Sequence, residues 1–459
     1  MQYISNTEQD KKEMLGAIGA GSFEALIAKV PRALRNFKLG LPAGLSELEL
    51  MRELEGLSRQ NKHSNDYASY LGGGNYDHFI PAVVNALAHR GEFITSYTPY
   101  QGEASQGTLQ SIYEYQSLIC ELTAMDVSNA SMYDGASSLA EAALLALRAT
   151  GRRRILVPAT THPEYRQVMR TYLSCLDAEI IELPFSNGAT DPGVLKKFLN
   201  ADTAAVVAQS PNFFGVLEDM RSISDLCHNA GALFIASVNP ISLGILEPPG
   251  EYGADIAVGE GQPLGNPLSF GGPHFGFFTV KEALLRKIPG RIAGLTVDRT
   301  GRRAFVLTLQ AREQHIRREK ATSNICTNHS LCALKGAIYL TLLGREGLKK
   351  LALLNFQNAH RARERLLKIK GVRVFSDGPF FNEFALHIKK NPAAFRADLL
   401  REKILGPLTL SEFYPDLPDG FLFAVTENRT RWDEDRLTRA VGETAGPAAK
   451  KEPRVRAHF

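Results

Sequence analysis

The chain is predicted to be an α/β protein built on a mostly parallel sheet with further domains attached, and three observations support this. Short apolar runs of strand length recur as RILVP (154–158), AEIIELP (178–184), TAAVVAQ (203–209), GALFIASV (231–238) and DIAVG (255–259). Helix-like segments such as EYRQVMRTYL and MRSISDLCHNA alternate with them, a βαβ rhythm that puts helices on both faces of a parallel sheet. At 459 residues and 44% hydrophobic content the chain exceeds the size at which one core keeps growing, so two domains or more are expected.

Residues 1–104 read as a segmented helical arm: Ser46 with Glu49 forms a capping box before LELMRELEGLSRQNK, and Pro81 suits the first turn of PAVVNALAHR. Residues 105–340 form the large α/β domain, opening with a helix whose apolar stripe uses Leu109, Ile112, Tyr113, Ile119 and Leu122. Residues 341–445 form a smaller α+β domain, in which LLNFQNAHRARERLLKI and AAFRADLLREK are helices and VRVFS, NEFALHI and GFLFAVTE are strands. The tail 446–459, GPAAKKEPRVRAHF, is basic and aperiodic; it reads as frayed, with partner binding as the alternative.

Composition excludes several classes. A formal charge of +4, from 53 basic and 49 acidic residues, is too even for a nucleic-acid footprint. Cys120, Cys175, Cys227, Cys326 and Cys332 form no CxxC and fit a reducing compartment, so a cytoplasmic location is expected. The polar start MQYISNTEQDKKEML has no apolar core of a secretory signal. The uncharged run Gly261–Val280 carries five glycines and three prolines, which excludes a lipid-facing helix.

Four stretches invite chemistry. MYDGASSLAEAALLALRA places Gly135, Ala136, Ser137 and Ser138 at a helix entry, where N–H groups and hydroxyls make either a phosphate-type anion site or an ordinary serine N-cap. SYTPYQGEASQG (96–107) concentrates tyrosines, glutamines and serines in a loop that either meets a partner or pocket or merely connects. LGGGNYDHFIP (71–81) is a flexible turn or a place of close backbone approach. ICTNHSLC gathers Cys326, His329 and Cys332 without a second ligand pair at metal spacing, so packing explains it better than zinc.

Taken together, IGAGSFEALIAKVP, YLGGGNYDHFIPAVV, YTPYQGEASQGTLQSIYEYQSLICELTAMDVSNASMYDGASSLAEAALLA, VGEGQPLGNPLSFGGPHFGF and REKATSNICTN resemble the P-protein of the glycine cleavage system. The resemblance covers nearly the whole chain and is to the subunit 1 type, the N-terminal half of a P-protein split into two polypeptides. Gly102 and Pro263 depart from the family's usual proline and serine. The resemblance implies the fold type I architecture of pyridoxal phosphate (PLP) enzymes, which need a lysine for the internal aldimine and a carboxylate at the pyridine nitrogen.

Neither residue is found where it is needed. Gln262 and Pro263 stand in the loop expected to carry the lysine, and between Lys62 and Lys281 the sequence offers only Lys196 and Lys197, in the helix-like DPGVLKKFLN. GALFIASVNP ends in Ser237, Val238 and Asn239, with no acid before Glu247. The resemblance therefore implies a noncatalytic subunit that binds no cofactor covalently and pairs with a PLP-bearing subunit 2, as an α2β2 heterotetramer. The pair would decarboxylate glycine and pass the aminomethyl group to the lipoyl arm of H-protein. Tyr97, Tyr100, Gln101, Ser105 and Gln106 are candidates to complete the partner's pocket. Gly135–Ser138 and His162 are candidates for a vestigial phosphate site and ring partner, a locally satisfied histidine being the alternative for the latter. Two other readings stay open: a self-sufficient PLP lyase, aldolase or aminotransferase, and an interaction scaffold without an active-site role.

Overall fold

A computed structural model describes residues 5–35, 40–95, 97–325 and 327–445. The expectations for the tail 446–459, Ser96 and Cys326 lie outside these residues. Two compact units emerge, residues 1–62 and 63–459. In the first, both longer helices start on reciprocal caps: Thr7 with Asp10 for Glu8–Ala17, and the expected Ser46 with Glu49 for Glu47–Ser58. These helices bury no side chain, and Leu48, Met51 and Leu54 are exposed.

The second unit is organised by a seven-stranded sheet of β1 (Val127–Ser128), β2 (Arg154–Pro158), β3 (Glu179–Leu183), β4 (Thr203–Ser210), β5 (Leu233–Val238), β6 (Ile256–Glu260) and β7 (Gly276–Val280), in the order β1-β7-β6-β5-β4-β2-β3. Strands β2 to β6 run parallel, as the apolar runs predict, while β7 is antiparallel to β6 and β1. Strand β7 hides in the uncharged glycine- and proline-rich run of the sequence, where the flanking Gly271, Gly272 and Pro273 make the whole stretch read as a loop.

Alternation along the strands builds two cores. Leu156, Val206, Phe234 and Ala236 face one side with Tyr115, Ile119 and Tyr339; Ile155, Val157, Ala205, Val207 and Ile235 face the other with Leu139, Ala143 and Met169. The helices Gln106–Thr123 and Ser330–Leu367 thus cover the first face, and Gly135–Thr150 with Pro163–Leu173 the second. At Gly344 (φ 57°) the long helix breaks into two, beyond the residue-340 boundary read from sequence.

A hairpin missed by the sequence reading, β8 (Ile292–Val297) and β9 (Arg303–Thr308), packs Phe305 against Leu109 and Ile112. An antiparallel four-stranded sheet follows, β10 (Val372–Val374), β11 (Glu383–Ile388), β12 (Leu408–Thr409) and β13 (Gly420–Ala424), ordered β10-β11-β13-β12. Its Phe384, Leu386 and Phe423 share a core with Phe395, Leu399 and Leu437 of the helices Pro392–Arg401 and Arg431–Ala445. Among the described residues no helix is long and apolar enough to cross a membrane.

Candidate functional site

The carboxyl end of β6 meets the N-terminus of the helix Gly135–Thr150. The helix is capped by Asp134, whose Oδ1 accepts the Ser137 N–H at 2.7 Å while Ser137 Oγ accepts the Asp134 N–H at 3.2 Å. The sequence reading placed a serine at the cap; aspartate holds it, and Ser137 is the reciprocal partner. Ser138 Oγ donates back to the Asp134 carbonyl at 2.6 Å, so both hydroxyls are turned to local use.

This helix entry is already filled, by the side chain of Glu260. Its Oε2 accepts the Gly135 N–H and its Oε1 the Gln262 N–H, each at 2.9 Å. The side chain is 8% exposed. Burial pushes the Glu260 carboxyl up to about 8, with the Gly135 and Gln262 N–H groups pulling against it. A Cβ on Gly135 would lie 2.4 Å from Tyr165 Oη and 2.9 Å from the Glu260 nitrogen, so glycine is required for this approach.

Gln262 is 1% exposed and spends its amide on the chain itself. Nε2 donates to the carbonyls of Tyr76 (3.0 Å) and Asn266 (2.7 Å), and Oε1 accepts the Tyr76 N–H (2.9 Å). Pro263 beside it is buried. Tyr76 Oη donates to Glu383 Oε2 at 2.6 Å and Gly73 N–H to Glu383 Oε1 at 2.7 Å, fastening the LGGGNY loop to β11. Burial pushes Glu383 up to about 7, the Tyr76 hydroxyl opposing. The triple glycine allows close approach: a Cβ on Gly72 would fall 2.1 Å from Glu383 Oε1. Beyond Gln262 a cleft of about 250 Å³ remains, lined by Tyr76, Asp77, His78, Gln262, Asn266 and Asn428 among others.

His162 is locally satisfied. Its Nδ1 accepts the Glu164 N–H at 3.2 Å, which leaves Nε2 to donate to the Gly73 carbonyl at 2.7 Å. Burial pushes it down to about 4, so the ring is neutral near pH 7. Tyr165 stacks on it at 4.5 Å and Phe213 meets it edgewise at 4.9 Å.

The 96–107 loop divides into two kinds of residue. Tyr97 is 83% and Tyr100 68% exposed, and Gln101 is exposed; the Arg291 guanidinium lies 5.6 Å from the centre of the Tyr100 ring. Ser105, half-buried, precedes the helix Gln106–Thr123 and makes no side-chain cap bond. Gln106 instead clamps β9: Nε2 donates to the Gly102 (2.7 Å) and Phe305 (2.9 Å) carbonyls and Oε1 accepts the Phe305 N–H (2.9 Å).

The remaining candidates are dispersed. Lys196 and Lys197 are exposed on the short helix Pro192–Phe198. Asn239, after β5, accepts the Ile241 N–H at 2.9 Å, and Glu247 pairs with Arg221. His329 Nδ1 bonds the His274 carbonyl and Cys332 the Pro273 carbonyl. Sequence reasoning missed Glu260 and Glu383, although each is an acid embedded in an apolar strand, which is itself the signal.

The residues present do not fit the pyridoxal phosphate that the resemblance implies. A carboxyl group already takes the Gly135 N–H; an amide and an imino acid replace the amine; and Asn239 follows β5 where an acid is needed.

A model of the family described as "Glycine cleavage system P-protein" matches residues 1–441. The chain is 53% identical over 444 residues, covering 96% of it and 100% of the relative, to a protein of Desulfitobacterium hafniense named "Probable glycine dehydrogenase (decarboxylating) subunit 1". It is 51% identical over 443 residues to a Carboxydothermus hydrogenoformans protein of the same name, covering 96% and 99% of the two chains. A crystal structure of glycine decarboxylase (P-protein) of the glycine cleavage system, in inhibitor-bound form, superposes with a TM-score of 0.90 at 48% identity over 97% of this chain and all of that one. The sphingosine-1-phosphate lyase of Burkholderia pseudomallei, at 16% identity and a TM-score of 0.64, shares the fold type I architecture alone, over 90% of this chain and 94% of that one. Matched in sequence and in architecture along nearly its whole length, the chain belongs to the glycine cleavage system P-protein family.

Proposed function

We propose that this chain is a noncatalytic subunit of glycine dehydrogenase (decarboxylating), paired with a lysine-bearing subunit 2 that holds the PLP. The names of its relatives support the enzyme and a second subunit. The observation that carries the noncatalytic reading is Gln262: a fully engaged amide in the loop where a Schiff-base lysine is required. In the partner, the cofactor supplies an electron sink for glycine decarboxylation, and the aminomethyl group passes to the lipoyl arm of H-protein.

This chain's share is to shape the partner's pocket. Tyr97, Tyr100 and Gln101 project from it, so in an α2β2 assembly, placed in the cytoplasm, they orient the substrate or exclude water across the interface. Ser105 stands at the loop's base, and Gln106 serves indirectly, by fixing that base on β9. Coexpressed complexes carrying Tyr100→Phe or Gln101→Ala should assemble normally and lose most exchange of CO2 with the glycine carboxyl. Unchanged exchange would remove the trans role, and loss of assembly alone would favour a scaffold.

A further inference from the structure

We propose that Glu260 is a built-in substitute for the phosphate of the fold's cofactor: its carboxyl group fills the site at the entry of the helix Gly135–Thr150, closing this chain to phosphate-bearing ligands by occupation. The inference deepens the noncatalytic reading and rests on it. A missing lysine forbids a covalent aldimine but leaves noncovalent binding of a phosphate open. Glu260 addresses that second possibility.

Each oxygen of the Glu260 carboxyl group takes one backbone N–H, those of Gly135 and Gln262, both at 2.9 Å. Helix-entry N–H groups of this kind are the donors that otherwise bind phosphate, and the helix dipole favours a negative charge there. The Ser137 and Ser138 hydroxyls both donate to the Asp134 carbonyl, at 3.1 and 2.6 Å, and do not turn outward. Tyr165 closes the same corner, its hydroxyl lying where a Gly135 side chain would be. A phosphate cannot reach these N–H groups while the buried Glu260 carboxyl group occupies them. It follows that restoring an amine, as in Pro263→Lys or Gln262→Lys, does not by itself restore cofactor binding.

The test uses the full chain with inorganic phosphate as the probe, at matched ionic strength against chloride. In Glu260→Ala, and in Glu260→Gly where more volume is freed, phosphate should raise Tm saturably, by about 1.5 degrees at about ten times its Kd. The parent chain should show no saturable shift. If a variant does not fold alone, refolding in phosphate should recover it, since the same N–H groups are then satisfied. A saturable response of the parent chain, or no response and no recovery in either variant, would overturn the proposal. A separate arm adds pyridoxal phosphate and borohydride to the parent chain. A covalent adduct there counts against the noncatalytic reading, whereas a phosphate-indifferent variant without an adduct counts against the plug alone.

Discussion

The loop after β6 and the loop before the helix Gln106–Thr123 carry similar side chains and use them oppositely. Around Gln262 nearly every amide, carboxylate and hydroxyl is bonded within the chain, and Gln262 and Glu260 are 1% and 8% exposed. Around Tyr100 the two tyrosines and Gln101 point outward, Tyr97 and Tyr100 being 83% and 68% exposed. A polar cluster closed on itself fixes structure, because removing one partner leaves others buried and unpaired. A polar cluster open to solvent is available to a partner. The contrast supports the proposal that this chain acts through the second loop and not through the one where the resemblance expects the cofactor lysine.

That contrast can be broken by substitution. Gly72→Ala should be the most costly change, at about 3 kcal/mol or more, because its Cβ would fall 2.1 Å from Glu383 Oε1 and 2.5 Å from Ala424 Cβ; chemical denaturation midpoints measure it. Gln262→Ala should cost about 2–3 kcal/mol by stranding the Tyr76 N–H and the Asn266 carbonyl, with the same readout. Gln106→Ala should cost about 1–2 kcal/mol, whereas Gln101→Ala, its neighbour in composition, should stay within about 0.5 kcal/mol and act on turnover instead. Equal stability costs at Gln101 and Gln106 would erase the distinction between open and closed residues.

The closed region also makes a prediction about pH. Glu260 and Glu383 have folded values raised by burial from 4.5 to about 8 and about 7. Each prefers its neutral form when folded, so the stability it contributes is fully present below about 4.5 and is lost as pH rises through 7 and 8. Parent stability should therefore decline between pH 5 and 8, and Glu383→Gln should flatten part of that decline. An unchanged slope in the variant would mean that Glu383 does not titrate in this window.

Much of the large sheet was legible because parallel strands with both faces covered appear as uninterrupted apolar runs, and β2 through β6 fall within a residue or two of RILVP, AEIIELP, TAAVVAQ, GALFIASV and DIAVG. Strand β7 was not, since glycine and proline around it read as one loop. Nor was the β8–β9 hairpin, whose strands flank a polar DRTGRR tip and expose Leu295, Val297 and Val306. At the site, the absence of lysine from the Gln262 loop could be read directly. What filled the space could not: Glu260 reaches Gly135 across 125 positions of sequence, and Glu383 reaches Gly73 across 310. Local patterns carry no information about such pairings. The bonds of Gln106 to Phe305, 199 positions away, were hidden for the same reason.

The central claim is that reactivity belongs to a companion chain. The most direct measurement is borohydride fixation of the coexpressed complex followed by peptide mass mapping of both subunits. The account predicts a reduced pyridoxyl lysine on subunit 2 and none on this chain; stoichiometric label on Lys196, Lys197 or any other lysine of this chain would contradict it.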